Sequence, residues 1–171
     1  MCPRIRHQQK KSRHMQRSHY PIGIVSFGSH YQRRRSFRIR NCQTLGFGHW
    51  SAHKLEPLSK YEIRHGEAVA IGVALDCIYS SKVHGLAADH CYKAVKCLSD
   101  MGLPTFHPLM QNSQEILVGL EEFRQHLGGV LTVTMIESPG HPINVHSISQ
   151  KIMHDSINEL ESLSQELGSS L

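Results

Sequence analysis

The chain has 171 residues, enough for one ordinary domain, and carries 19 Lys+Arg against 14 Asp+Glu, a formal charge of +5 with its 14 histidines neutral. No window approaches the roughly 18 apolar residues that a membrane span needs. Five cysteines, an odd number without a Cys-x-x-Cys pair, argue against a disulfide framework and for reduced thiols in a cytoplasmic protein.

The charge is unevenly placed. Residues 1–43 hold 11 Lys+Arg and no acid, the first carboxylate being Glu56, whereas residues 44–171 hold 8 Lys+Arg against 14 Asp+Glu, a net of −6. Residues 1–43 therefore read as a basic arm before a domain at 44–171. Arg33-Arg34-Arg35, with Tyr31 and Phe37 nearby, could meet nucleic acid or an acidic surface. Apart from Ile22-Gly23-Ile24-Val25 the arm lacks apolar periodicity, so solvated disorder accounts for it better. A mis-called start or a shifted reading frame would leave the same discontinuity. No apolar run of roughly 7–15 residues follows the basic start, as a signal peptide would require, and an organelle transit peptide ranks below these readings.

The first predicted helix spans 44–58, around His49 and His53, and ends near Pro57. The strongest helical segment is 64–84, with an apolar stripe of Val69, Val73, Ile78 and Val83 beside Ala70, Ala74 and Cys77. Gly85, after Lys82-Val83-His84, suits its C-terminal cap. A third helix is predicted at 87–101 through Tyr92, Val95, Leu98 and Met101, stopped by Gly102-Leu103-Pro104. Cys91 and Cys97 share that pattern, where a small buried hydrophobe is the default. Ser113 opens a capping pattern in which Glu115, Glu121 and Glu122 flank Ile116, Leu117 and Leu120, giving one or two short helices over 113–125. The period then changes. Val130–Ile136 alternates and is β-branched, Ser138-Pro139-Gly140 is a turn, and Ile143-Asn144-Val145 is a short partner strand. Helical spacing returns over 147–163 through Ile148, Ile152, Ile157, Leu160 and Leu163, and the last eight residues are expected to fray. The expected class is mainly α with one small β-hairpin.

His49 and His53 are four apart, which puts both imidazoles on one helix face. His65 opens the next segment, and Gly66 beside it permits close approach of a backbone or ligand. Imidazole suits zinc, and two histidines with one carboxylate form a common catalytic shell. In a chain with 14 His, a pair of helix-surface histidines and one cap histidine is the alternative of equal standing.

Leu45-Gly46-Phe47-Gly48-His49-Trp50-Ser51-Ala52-His53-Lys54-Leu55-Glu56, followed by Leu58 and Arg64-His65-Gly66-Glu67-Ala68-Val69-Ala70-Ile71-Gly72, resembles the C-terminal domain of 3-dehydroquinate synthase. More broadly it resembles the sugar phosphate cyclases, whose pattern runs L-N-F-G-H-[ST]-x-G-H-A-x-E, a short spacer, then L-H-G-E-A-V-A-x-G. The histidine spacings match. The resemblance continues through Gly102-Leu103-Pro104 to Arg124-Gln125-His126-Leu127-Gly128-Gly129 and covers about residues 44–162.

The resemblance implies a helical domain that normally follows an NAD-binding α/β domain. That domain's Gly-rich turn has no counterpart here, so no cofactor-binding residue is expected. It implies NAD-dependent oxidation of a hydroxyl, phosphate elimination, re-reduction and ring closure, with zinc or cobalt held by two histidines and a glutamate. His49 and His65 map onto metal ligands, and His53 onto a proton-transfer residue near the phosphate. Glu56 and Glu67 map onto carboxylates that orient the ligands or their helix, with direct contact of Glu67 to the metal as the lesser alternative. Arg124 keeps the one positive charge of the family's D-K-K segment, to meet phosphate or carboxylate. The three histidines should converge at one end of the domain with Arg124 on the rim, and the His49 and His65 rings should approach within roughly 4 Å.

Among the departures are Gly46 for asparagine, Trp50 for a small hydroxyl residue and Phe123-Arg124-Gln125 for D-K-K. They suggest a divergent branch, for instance a sedoheptulose 7-phosphate cyclase of the 2-epi-5-epi-valiolone synthase type. The family's glutamate ligand lies upstream of the matching region. The chain therefore reads as a fragment of a cytoplasmic, often homodimeric lyase of the shikimate pathway, inactive without an NAD-binding half. The alternative class is a non-catalytic remnant or interaction module with a basic arm.

Overall fold

In the computed structural model, which describes residues 46–168, helix α2 (His65–Val83) forms the centre of the domain. The reading of residues 1–43 as an arm, Cys2, Cys42 and the fraying of 169–171 lie outside the described residues. Eleven residues of α2 are buried, from Ala68 to Ser80, on every side of the helix. A helix that is apolar all round belongs inside a fold. The expected stripe is borne out at Ile78, Ala70, Ala74 and Cys77, which are buried, and corrected elsewhere: Val69 and Val73 are only partly buried and Val83 is exposed, while Ile71, Leu75 and Tyr79 join the core. Helices α1 (His49–Leu58), α3 (Ala88–Asp100) and α5 (Gln150–Leu167) and the hairpin strand β1 (Val133–Ser138) all pack on it.

α1 starts five residues later than the spacing predicts. Gly48 takes a left-handed φ of 75° and breaks the helix there. It also lies hard against α2, since a Cβ on it would meet Val73 Cγ2 at 2.7 Å. Pro57 stands inside the last turn instead of ending the helix. The chain then reverses through Lys60 (φ 55°) and Tyr61 (φ 64°), two non-glycine residues in the left-handed region, and enters α2 at His65.

In α3 the buried residues are Cys91 and Val95, while Tyr92 and Met101 are exposed and Cys97 lies at the surface. Of the predicted stripe, Val95 is buried and Leu98 packs against the core, while its two outer members do not. α4 (Ser113–His126) is one continuous helix whose cap is Asn112, not Ser113: the Asn112 side chain accepts the Glu115 N–H, and Ser113 is buried.

β1 and β2 (His141–Val145) pair antiparallel, with Val133 opposite Val145 and Met135 opposite Ile143. β1 begins three residues later than expected, because Gly128 and Gly129 turn the chain and Val130 is exposed. Ser80 of α2 holds the strand, its hydroxyl accepting the Ile136 N–H at 3.2 Å. α5 begins after the Ser149 cap and runs four residues past the expected end, stopping at left-handed Gly168. Residues 164–167 are therefore helical, with Ser164 buried and Leu167 against the core. Among the described residues Cys77, Cys91 and Cys97 are free thiols, and no helix is long and apolar enough to cross a membrane. The class is mainly α with one hairpin.

Candidate metal centre and its surroundings

The α1–α2 reversal brings the three histidines together. His49 is the first residue of α1, His53 follows one turn on, and His65 is the first residue of α2. Their ring centres are 5.5 Å apart for His49–His65 and 6.2 Å for each pair with His53. Two imidazoles sharing one tetrahedral ion through nitrogens at about 2.0–2.1 Å have ring centres roughly 5 Å apart. The His49–His65 separation is close to that figure.

The hydrogen bonds around these rings determine which nitrogen is free. His49 Nδ1 lies 3.0 Å from the Phe47 carbonyl, which can only accept, so Nδ1 carries the hydrogen and Nε2 the lone pair. His65 Nδ1 donates in the same way to Glu56 Oε1 at 3.0 Å. A ligating histidine commonly uses its second nitrogen on a carbonyl or carboxylate in this manner. Glu56 Oε2 is also 3.9 Å from His53 Nδ1, so this one half-buried carboxylate stands between two of the rings. Glu67 is placed differently: its carboxylate accepts the Arg64 N–H at 2.9 Å and caps α2. Two imidazoles with free Nε2 atoms fit part of a zinc shell, yet among the described residues no group of three His, Cys, Asp or Glu is placed to hold an ion. Nothing described lies within 4 Å of a Cβ at Gly66, so no protein contact requires a glycine there.

His53 stacks on Phe123, with ring centres 6.3 Å apart and planes at 28°. Partial desolvation lowers its pKa and outweighs the opposing pull of Glu56; His49, His65 and His126 add to the lowering. At neutral pH it is a neutral imidazole, able to accept a proton.

Beside His53 is a cavity of about 230 Å³, lined by Trp50, His53, Lys54, Gly119, Glu122, Phe123 and His126. Lys54 is buried, and its ammonium contacts Glu115 and Glu122 at 2.8 Å each, which raises its pKa. Its stem crosses α4 at Gly119, where a Cβ would meet Lys54 Cβ at 2.8 Å. Arg124 does not line this cavity. Its guanidinium is bonded to the Glu121 carboxylate and the Gly129 carbonyl. Lys54, Gly119 and Glu122 were not singled out from the sequence. The available signal was Lys54 itself, a charge where the related pattern has alanine.

Asp76 was missed as well. It is fully buried in the middle of α2 and accepts the Gly48 N–H at 2.8 Å and the Trp50 indole N–H at 2.9 Å. Burial pushes its carboxyl up to about 7, against the opposite effect of these two bonds. Trp50 thus departs from the small hydroxyl residue of the pattern together with a buried acceptor for its N–H. Gly46 faces β1, where a Cβ would meet Thr134 Oγ1 at 3.2 Å.

Residues 37–122 match the family described as 3-dehydroquinate synthase C-terminal, a stretch that contains all three histidines, Glu56, Glu67 and Asp76. The chain belongs to that family. Among curated relatives, the 3-dehydroquinate synthase of Leptospira interrogans is 31% identical over 100 residues, covering 58% of this chain and 27% of the relative. That of Clostridium tetani is 30% identical over 117 residues, covering 67% and 31%, and that of Aeropyrum pernix is 33% identical over 99 residues, covering 57% and 27%. The chain spans less than a third of the length of these 3-dehydroquinate synthases. ValA, the 2-epi-5-epi-valiolone synthase of Streptomyces hygroscopicus subsp. jinggangensis 5008, solved with NAD+ and Zn2+ bound, shares the fold. Its TM-score is 0.64 at 22% identity, over 68% of this chain and 32% of that one. The family match ends at Glu122, before Arg124.

Proposed function

We propose that this chain carries the metal-ligand and proton-transfer wall of a sugar phosphate cyclase of the 3-dehydroquinate synthase type. The observation that carries the reading is the His49–His65 pair, 5.5 Å between ring centres, with both Nδ1 atoms hydrogen-bonded, which puts the lone pair of each ring on Nε2. Those two Nε2 atoms would hold zinc, or cobalt in its place. When bound, the ion acts as a Lewis acid on substrate hydroxyls. Glu56 keeps the His65 ring in the ligating tautomer, and Glu67 keeps the first turn of α2 closed behind it. His53, neutral and one helical turn from His49, takes up a proton beside the departing phosphate. Arg124 would reach an anion only by exchanging its Glu121 partner.

In this reading the third metal ligand and the groups that hold NAD belong to an NAD-binding half outside residues 46–168, and the family habit of dimerising applies. The isolated chain then binds zinc weakly and releases no phosphate. A sedoheptulose 7-phosphate cyclase is the second reading, favoured by Trp50 and Gly46 at two positions of the pattern. The test is a zinc titration of the chain and its His49→Ala, His65→Ala and His53→Ala variants. It is followed by phosphate release with NAD and sugar phosphates, with and without an NAD-binding domain from a relative. Loss of zinc in the first two variants alone supports the site. An isotherm indifferent to His49 and His65 points instead to a non-catalytic module.

A further inference from the structure

Asp76 takes no part in the chemistry above, yet both of its oxygens are bonded to the residues that flank His49. Oδ2 accepts the Gly48 N–H at 2.8 Å and Oδ1 the Trp50 indole N–H at 2.9 Å, all three partners being buried. We propose that Asp76 is a positioning residue for the histidine pair: it clamps the first turn of α1 onto α2 and so sets His49 at its distance from His65. The functional consequence rests on the reading of those two histidines as ligands; the clamp itself does not.

The physical argument is one of direction. Apolar contacts between two helices are non-directional and tolerate sliding. Hydrogen bonds weaken steeply as their geometry is lost, and a buried donor or acceptor left without its partner is costly. A slip of one helical turn, about 5.4 Å, would equal the whole separation of the two rings. A ligand pair tolerates far less, since metal–ligand distances hold to about 0.2 Å. The rest of the crossing supports the same register. The Gly48 carbonyl sits where a Cβ on Gly72 would come within 2.0 Å of it, so the two backbones approach closely there. Asp76 adds the directional element at that place, through Gly48 and through Trp50, one of the residues that depart from the family pattern.

The experiment uses the full chain, with Asp76→Asn and Trp50→Phe as probes and Ile157→Val, in α5, as a control that loosens the core elsewhere. Three quantities are read in folded protein: the nuclear Overhauser contact between the His49 and His65 rings, the exchange rate of the Gly48 amide, and the affinity for zinc alone. Asp76→Asn should abolish the ring contact, speed Gly48 exchange at least tenfold and weaken zinc about tenfold. Trp50→Phe, which removes one of the two bonds, should do the same to a smaller degree and serves if Asp76→Asn does not fold. Ile157→Val should lower the melting temperature and leave all three readings unchanged. A folded Asp76→Asn or Trp50→Phe chain that keeps the ring contact and the slow Gly48 amide overturns the proposal. If the wild-type chain binds no zinc while the ring contact still depends on Asp76, the metal reading fails and the clamp stands.

Discussion

Glu56 and His65 lie nine residues apart in the chain and 3.0 Å apart in space, the carboxylate accepting the imidazole Nδ1–H. This bond is made by the tight α1–α2 reversal, and it is what leaves His65 Nε2 free. Removing it as Glu56→Ala should let the ring rotate and change tautomer. Zinc affinity should fall roughly 10- to 100-fold, the usual cost of losing such a partner. Glu56→Gln keeps an acceptor oxygen and should recover most of the loss. Isothermal titration of both variants checks this, and equal affinities in Glu56→Ala and wild type would refute it.

The buried Asp76 carboxyl predicts a pH dependence of stability. Its folded pKa is raised from 3.8 to about 7. Between those values the native state holds a proton that the unfolded chain has released, so stability falls as pH rises. The contribution is fully present below about pH 4 and lost by the time pH has passed the folded value near 7. A shift of this size corresponds to roughly 4 kcal/mol. Asp76→Asn removes this term, so the difference in unfolding free energy between wild type and variant should move against the wild type from pH 4 to pH 8. Denaturant unfolding at several pH values measures it, and a pH-independent difference would contradict the assignment.

The mainly helical class, the hairpin and the placing of His49 and His53 on one helix face were legible in the sequence because each rests on a local signal, whereas the approach of His65 to them was expected from the family resemblance. Those signals are a 3.6-residue period over 64–84, an alternating run before Ser138-Pro139-Gly140, and histidines at one-turn spacing. What was not legible depends on crossings between elements. The stripe on α2 fails as a guide because neighbours pack on it from all sides, so residues between the spaced valines carry as much of the core. Asp76, read along the chain, is a lone acid in an apolar helix; its partners are 28 and 26 residues away. Arg124 was assigned by motif position, which passed over a local signal: Glu121, three residues back on the same helix, is placed to take its guanidinium.

Gly66 and Gly72, one near the start of α2 and one in its middle, should respond oppositely to alanine. A Cβ at Gly66 meets nothing within 4 Å, so Gly66→Ala should stabilise the isolated chain by up to about 1 kcal/mol through helix propensity. A Cβ at Gly72 would come within 2.0 Å of the Gly48 carbonyl, a backbone atom that cannot step aside without moving α1. Gly72→Ala should therefore cost several kcal/mol, beyond the roughly 1–3 kcal/mol typical of an overpacked core, or prevent folding. Thermal melts of the two variants decide it, and similar melting temperatures would mean that α1 does not cross α2 at Gly48.

His53 should separate chemistry from metal binding. Its ring centre is 6.2 Å from both other imidazoles, farther than they are from each other, and its face lies against Phe123. Deleting it as His53→Ala leaves the Nδ1 bonds of His49 and His65 in place, since these are made to Phe47 and Glu56. Zinc affinity should stay within about twofold of wild type. Phosphate elimination, measured once an NAD-binding domain is supplied, should slow by roughly 10²- to 10⁴-fold, the range expected for loss of a general acid–base group. The lowered pKa of His53 adds a second signature. The basic form is already populated below the usual histidine value, so the acid limb of the wild-type rate profile should lie under about pH 6.5 and vanish in the variant. A His53→Ala chain that loses zinc together with activity would make His53 a ligand, not a proton carrier.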